Sequence, residues 1–337
     1  MESKFIAFYS SRPFWAGKPL ELDKPEVRRK FTNHMSEEVF AYENELFSFK
    51  VCRDGMLMIK ITELEQQALK NKDAPIEQII KWYSKYLEYA NCLHLIIDSC
   101  LLKVENTSYL ELSEITNKDA FRISFENGKL KAQNIATESI SSLFQMMRFP
   151  SAVPFKSLIY YARLTTRKII SKETFDLTAE SFSKAVKDEI LVEMLSIIAK
   201  SISEYKVGNF SIAIILSWFV IESKLNKKWQ LFLDEKNIKY NNGTNRINSD
   251  RKKRFTGRDY TISIITNYLE LSDILSFSIF KNIDKVRGYR NAIAHRDKRY
   301  ICKPTHCKLA IETALNLALE DKSFKITPNL NYSINSS

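Results

Sequence analysis

Hydrophobic residues recur with two different periods along this chain, and the change from one to the other divides it. In the first 150 residues, short stretches alternate with period two. Residues 47–61 alternate about Asp54-Gly55, and residues 121–130 about Asn127-Gly128. Both dipeptides tolerate the positive φ of tight hairpin turns, so each stretch predicts a pair of antiparallel strands. Between them Ile76, Ile79, Ile80, Tyr83, Leu87, Ala90 and Ile97 repeat at helical spacing behind Pro75, which predicts a helix over 76–102. A shorter helix is predicted over 137–147. Pro150 and Pro154 then punctuate the chain and no hairpin signal follows, so the boundary is placed there. The spacing predicts helices over 155–170, 179–205, 210–237, 260–271, 275–294 and 305–319, with Gly208-Asn209 as a stop and restart. From Ser323 the chain is polar and contains Pro328, the mark of a frayed end. The expected organisation is an α+β N-terminal domain over 1–150, an all-α helical domain over 151–322, and a flexible tail over 323–337.

Composition narrows the chemistry. A chain of 337 residues with 45% hydrophobic residues has enough material for two cores and is not of disordered composition. Seven glycines are few, and no Gly-rich phosphate loop of Walker or Rossmann type is present. The apolar run 212–221 is about half the length a membrane span requires, and Met-Glu-Ser-Lys does not open like a signal peptide. A cytoplasmic protein without a membrane partner is expected. The five cysteines, Cys52, Cys92, Cys100, Cys302 and Cys307, are unpatterned and expected to be reduced. Cys302, His306 and Cys307 invite a zinc reading, but the spacing lacks a second pair and Pro304 interrupts it. They are read as small fillers at a helix start, with no metal and no cofactor expected. His94 is read as a packed or edge histidine of its helix and not a ligand.

The net charge of +11 is unevenly placed. Residues 241–299 hold 13 Lys and Arg against 6 Asp and Glu, a surplus of seven in that one stretch. Such a field attracts polyanions. Within it, residues 240–258 read as a long polar loop bearing Arg246, Arg251, Lys252, Lys253, Arg254 and Arg258. It is either a nucleic-acid arm, with Phe255 available to stack an unpaired base, or a solvated disordered loop.

The same stretch ends in Arg290-Asn291-Ala292-Ile293-Ala294-His295. Arg290 offers a permanently charged fork suited to phosphate oxygens, and a histidine exchanges protons near neutrality. On a helix Asn291 and His295, four apart, share a face, and Arg290 reaches round to join them. Two other pairs, Arg29 with His34 and Arg299 with His306, have similar spacing, but Lys30 and Tyr300 follow the arginine where the hexapeptide has asparagine. The competing reading of the hexapeptide is a helix end, where Arg and His favour the helix dipole and Asn stops the helix.

Read as Arg-Asn-x-x-x-His late in a helical segment, the hexapeptide resembles the signature of HEPN domains. The long apolar helix around Trp218 and Glu222 resembles an earlier core helix of that family. The resemblance covers roughly the last 180 residues and implies an HEPN-like helical bundle. It further implies a metal-independent endoribonuclease effector of bacterial antiviral (abortive infection) or toxin–antitoxin defence. Such an enzyme cleaves RNA by attack of the 2′-hydroxyl, leaving a 2′,3′-cyclic phosphate and a 5′-hydroxyl. Arg290, Asn291 and His295 are the implied catalytic residues; Arg287, Arg296, Arg254 and Arg258 are candidate RNA contacts. The implied partners are RNA, tRNA or mRNA among the possibilities, a second copy of the chain facing the first, and an antitoxin or phage-derived trigger. HEPN domains that have lost catalysis serve as dimerisation or sensing modules, and that is the alternative reading. The first 150 residues show no catalytic arrangement and are assigned recognition or regulation.

Overall fold

The structure is a computed structural model that describes residues 2–21, 24–70, 75–126, 129–134, 136, 138–148, 164–257, 260–296 and 299–332. The chain divides into two compact units, residues 1–199 with 323–331, and residues 200–322 with 332–337. The division falls inside the helix Glu189–Lys206. Pro150 and Pro154 lie outside the described residues, as does most of the helix expected over 155–170.

The first unit is built on a six-stranded antiparallel sheet. Its strands are β1 (Glu2–Phe8), β3 (Glu38–Glu43), β4 (Phe47–Cys52), β5 (Leu57–Ile61), β6 (Phe121–Glu126) and β7 (Lys129–Gln133), in the order β3-β4-β5-β1-β6-β7. Alternation sorts the side chains: Phe5, Ala7 and Tyr9 join Phe121, Ile123 and Phe125 in one buried cluster with Phe31, Met35, Met58 and Phe144. The intervening Ile6 and Phe8 are buried as well, so this part of the sheet is covered on both faces. Phe47 and Phe40 of the outer strands meet Phe182 and Phe175 of the helix Lys172–Ala185. That helix, expected among the C-terminal helices, therefore belongs to the first unit. The helix Ile76–Glu105 packs against it, and His94 on its inner side is fully buried.

Both predicted hairpins are present, with Phe47 opposite Ile61 and Ser124 opposite Ala132; Asn127-Gly128 lies outside the described residues. At the other turn Gly55 takes φ +87°, and a Cβ there would meet the Phe14 carbonyl at 2.8 Å, so glycine is required. Asp54 does more than tolerate the turn. Its carboxylate points inward, where it accepts from Arg148 Nε at 2.5 Å, Arg148 Nη2 at 2.9 Å and the Tyr9 hydroxyl at 2.7 Å.

Three expectations are corrected. Residues 168–170, placed in a helix by periodicity, form β8 (Lys168–Ile170), parallel to β2 (Phe14–Ala16); three residues, Lys-Ile-Ile, are too short a stretch to carry a period that distinguishes strand from helix. The single helix expected over 179–205 is two, Lys172–Ala185 and Glu189–Lys206. Residues 323–332, marked as a frayed tail, are anchored. Phe324, Ile326 and Leu330 are buried and the Thr327 N–H donates to Ser99 Oγ at 2.8 Å, while Tyr332 packs on Tyr205 and Phe210 within the second unit. Scattered apolar residues in a polar segment hide this from a periodic reading.

The second unit is helical. Its axis is the helix Phe210–Lys236, against which Ile262–Leu271, Phe277–Ala294 and Pro304–Leu319 pack. Ala213, Ile214, Ser217, Trp218, Ile221, Leu225 and Trp229 fill its buried side at spacings of three and four. Trp218 is thus a core residue, and Glu222, one turn later, is half-buried. Among the described residues no helix is long and apolar enough to cross a membrane.

Candidate functional site

The helix Phe277–Ala294 carries the hexapeptide. Its buried stripe is narrow, with Ile283 and Val286 as its fully buried members, so most of its circumference is left for other uses. Ser276 caps its start by accepting from the Ile279 N–H. At its end the His295 N–H donates to the Asn291 carbonyl at 2.9 Å, and Arg296 turns left-handed at φ +52° with its N–H donating to Ile293 at 3.1 Å. Left-handed backbone disfavours a side chain bearing Cβ, yet an arginine stands at this turn. The helix therefore stops as the motif is completed.

That ending sets the geometry. Asn291 and His295 lie one turn apart on one face. Arg290 Nη1 donates to Asn291 Oδ1 at 3.1 Å, which brings the guanidinium round to the asparagine and leaves its other N–H groups for a ligand. Asn291, His295 and Arg296 are exposed and Arg290 is half-buried. Positive side chains at a helix C-terminus sit in its favourable field, so the helix-end reading and the ligand reading rest on the same residues. Chemically the arrangement offers a fixed cation, an amide and an imidazole on one solvent-facing turn.

Comparison with protein-family models, with curated proteins and with solved structures finds no match to this chain.

The candidate RNA contacts divide. Arg287 lies one turn before the motif, where its Nη2 donates to Asp284 Oδ1 at 2.5 Å on the same helix. Arg254 belongs to a helix, Ser249–Phe255, inside what the sequence presents as a loop. Asn248 caps that helix by accepting from the Arg251 N–H at 2.9 Å, and Lys253 and Arg254 are exposed on it. Arg258 lies outside the described residues. Phe255, considered as a base-stacking group, packs instead against Trp229 and Tyr260, while its carbonyl accepts from Trp229 Nε1 at 2.8 Å. Its ring is spent on anchoring the basic helix to the axis helix.

Three residues around the motif carry no signal in a pattern of periods. Tyr289, directly before Arg290, stacks on His306 with ring centroids 4.1 Å apart and 16° between planes. Tyr300 extends the stack, and its hydroxyl meets His306 Nδ1 at 3.0 Å. Burial, and then the charge of Lys303, pull the His306 pKa down. His306 thus sits on the first turn of Pro304–Leu319 with Pro304 at the start, where proline is tolerated. This stack fastens the end of the motif helix to the start of the next one.

The first unit holds a cleft of about 720 Å³ lined by residues that include Trp82, Lys85, Glu88, Tyr89 and Arg122. The Arg122 guanidinium lies 4.8 Å from the Trp82 ring, and Lys85 pairs with Glu88 and Glu189 at 2.8 Å each.

Proposed function

We propose that the chain is a metal-independent endoribonuclease of the HEPN type, an effector of antiviral or toxin–antitoxin defence. The observation that carries this reading is the presentation of Arg290, Asn291 and His295 together on one exposed helix end, with Arg290 already turned to Asn291. The substrate's own 2′-hydroxyl is the nucleophile, which restricts the reaction to RNA. His295 accepts its proton or protonates the leaving 5′-oxygen, work worth roughly 10²–10⁴-fold. Arg290 stabilises the charge that grows on the phosphorus oxygens in the transition state, and Asn291 positions the arginine. Arg287, Arg296 and Arg254 extend the positive surface along the RNA, and Arg258 remains a candidate contact from the sequence alone.

One imidazole cannot serve both sides of a phosphate, so two protomers each supply a His295 across a shared cleft. Ile212 and Phe219, seven apart on one face of the axis helix, are about half exposed and supply apolar surface for an isologous contact. The first unit supplies recognition or restraint, and its cleft suits a ligand with both polar and aromatic groups.

Expression in a bacterial host tests the reading. The wild-type chain, once triggered or overproduced, slows growth and degrades RNA, and His295→Ala removes both effects. Equal toxicity of wild type and variant would reject catalysis and favour the alternative, a non-catalytic module for dimerisation or partner binding.

A further inference from the structure

In the first unit one guanidinium is held in place and given nothing to hold. Arg122 stands on β6 at an exposed position, and its guanidinium carbon lies 4.8 Å from the centroid of the Trp82 ring. Trp82 itself is fixed. Its Nε1 donates to the Leu64 carbonyl at 2.8 Å, and its ring meets Tyr86 edge-on with centroids 4.7 Å apart. Tyr86 is fixed in turn by donating to Glu65 Oε1 at 2.6 Å. Among the described residues no carboxylate pairs with Arg122, nor with Lys81, the residue before Trp82. Both side chains line the cleft of about 720 Å³, a volume within the range of small-molecule sites. The third cation of the cleft, Lys85, is already taken, because Glu88 and Glu189 each hold it at 2.8 Å.

We propose that this cleft binds a mononucleotide, with Arg122 and Lys81 taking its phosphate. The inference rests on the cleft alone and not on the ribonuclease reading. A guanidinium held against an indole is ordered before a ligand arrives, so little rotamer freedom is lost when phosphate oxygens accept from its fork. Phosphate matches that fork bidentately and carries enough charge to engage Lys81 as well. Glu88 and Glu189 share a single lysine, which leaves carboxylate oxygens as acceptors for the hydroxyls of a sugar or the amino groups of a base. Trp82 and Glu88 are six residues apart on the helix Ile76–Glu105, about 9 Å of rise, a span that a mononucleotide covers. Ile79 and Tyr89 add apolar wall between the polar groups. Inorganic phosphate would use the cations alone, and a nucleoside the acids alone.

Calorimetric titration of the full chain with AMP, GMP, CMP and UMP in turn tests this, with inorganic phosphate and the matching nucleoside as separate arms. At least one mononucleotide is expected to bind one-to-one in the micromolar range. Phosphate or nucleoside alone is expected to bind at least about tenfold more weakly, as the loss of a charge-assisted contact implies. Arg122→Ala is expected to weaken mononucleotide binding by a similar factor. Lys81→Ala, also at an exposed position, is expected to act in the same direction and decides the matter should the arginine variant fold poorly. Arg290→Ala, in the second unit, is expected to leave the affinity unchanged, so failure of the ribonuclease reading and failure of this one are distinguishable. No saturation below about 1 mM by any of the four, equal affinity for phosphate alone, or affinity that depends on Arg290 and not on Arg122 or Lys81 would overturn the proposal.

Discussion

His94 shows how much a single residue can set at a distance from any chemistry. Its ring is fully buried, with Nδ1 3.1 Å from the Ser113 carbonyl and Nε2 3.1 Å from the Ser10 hydroxyl. Burial pulls its pKa down to about 4. A folded-state pKa below the unfolded value of about 6.5 means that the unfolded chain binds the proton more readily. The neutral ring's contribution is therefore complete above about pH 6.5 and is lost as pH falls toward 4. The shift corresponds to about 3 kcal/mol, and His94→Gln is expected to flatten this part of the stability–pH curve measured by urea denaturation. A curve equally steep in the variant would assign the acid sensitivity elsewhere. The Asp54–Arg148 pair makes a second prediction. Both partners are fully buried, so Asp54→Ala strands a guanidinium without its counter-charge and is expected to cost roughly 3–5 kcal/mol. Replacing both residues by apolar ones should cost less than the single change. The sequence shows Asp54 only as a turn residue; nothing in it connects position 54 to position 148, 94 residues away. By contrast Arg290, Asn291 and His295 are adjacent along the chain, and that is why they can be read as a group before any fold is known.

At the scale of elements, period is what can be read. The long helices Phe210–Lys236 and Pro304–Leu319 follow their apolar spacing because each buries a face; in Ile76–Glu105 the helix forms as expected, but Ile76, Ile79 and Ile80 are exposed and burial runs unbroken from Tyr89 to Leu101. The parallel pair β2 and β8 is invisible, since its two short strands lie more than 150 residues apart and neither is long enough to show alternation. The helix Ser249–Phe255 is hidden for another reason. It has no buried residue of its own and is held by its Asn248 cap and by Trp229, so no apolar stripe announces it. That helix carries the next prediction. If Lys253 and Arg254 contact RNA phosphates, Lys253→Ala and Arg254→Ala should each reduce the slope of log binding constant against log salt by about 0.7, the value for single strands. Unchanged slopes in a filter-binding titration would remove this helix from the RNA surface while leaving the motif untouched.

At the scale of the whole molecule, the proposed function gives recognition or restraint to the sheet-based unit and catalysis to the helical one. Two changes of organisation were not legible in the sequence: the helix Lys172–Ala185 belongs with the sheet, and residues 323–331 return to the first unit. Both depend on contacts between distant segments, which periodicity does not encode. Paired catalysis requires association, so light scattering at micromolar concentration should give twice the mass of one chain. The most direct measurement of the central claim is cleavage of single-stranded RNA in EDTA, with the product ends analysed, for wild type and His295→Ala in parallel. The account predicts 2′,3′-cyclic phosphate and 5′-hydroxyl ends from the wild type, with a rate at least ~10²-fold lower in the variant. His295 is exposed, so the variant should keep its fold. Cleavage that needs Mg²⁺, or that proceeds equally in His295→Ala, would contradict it.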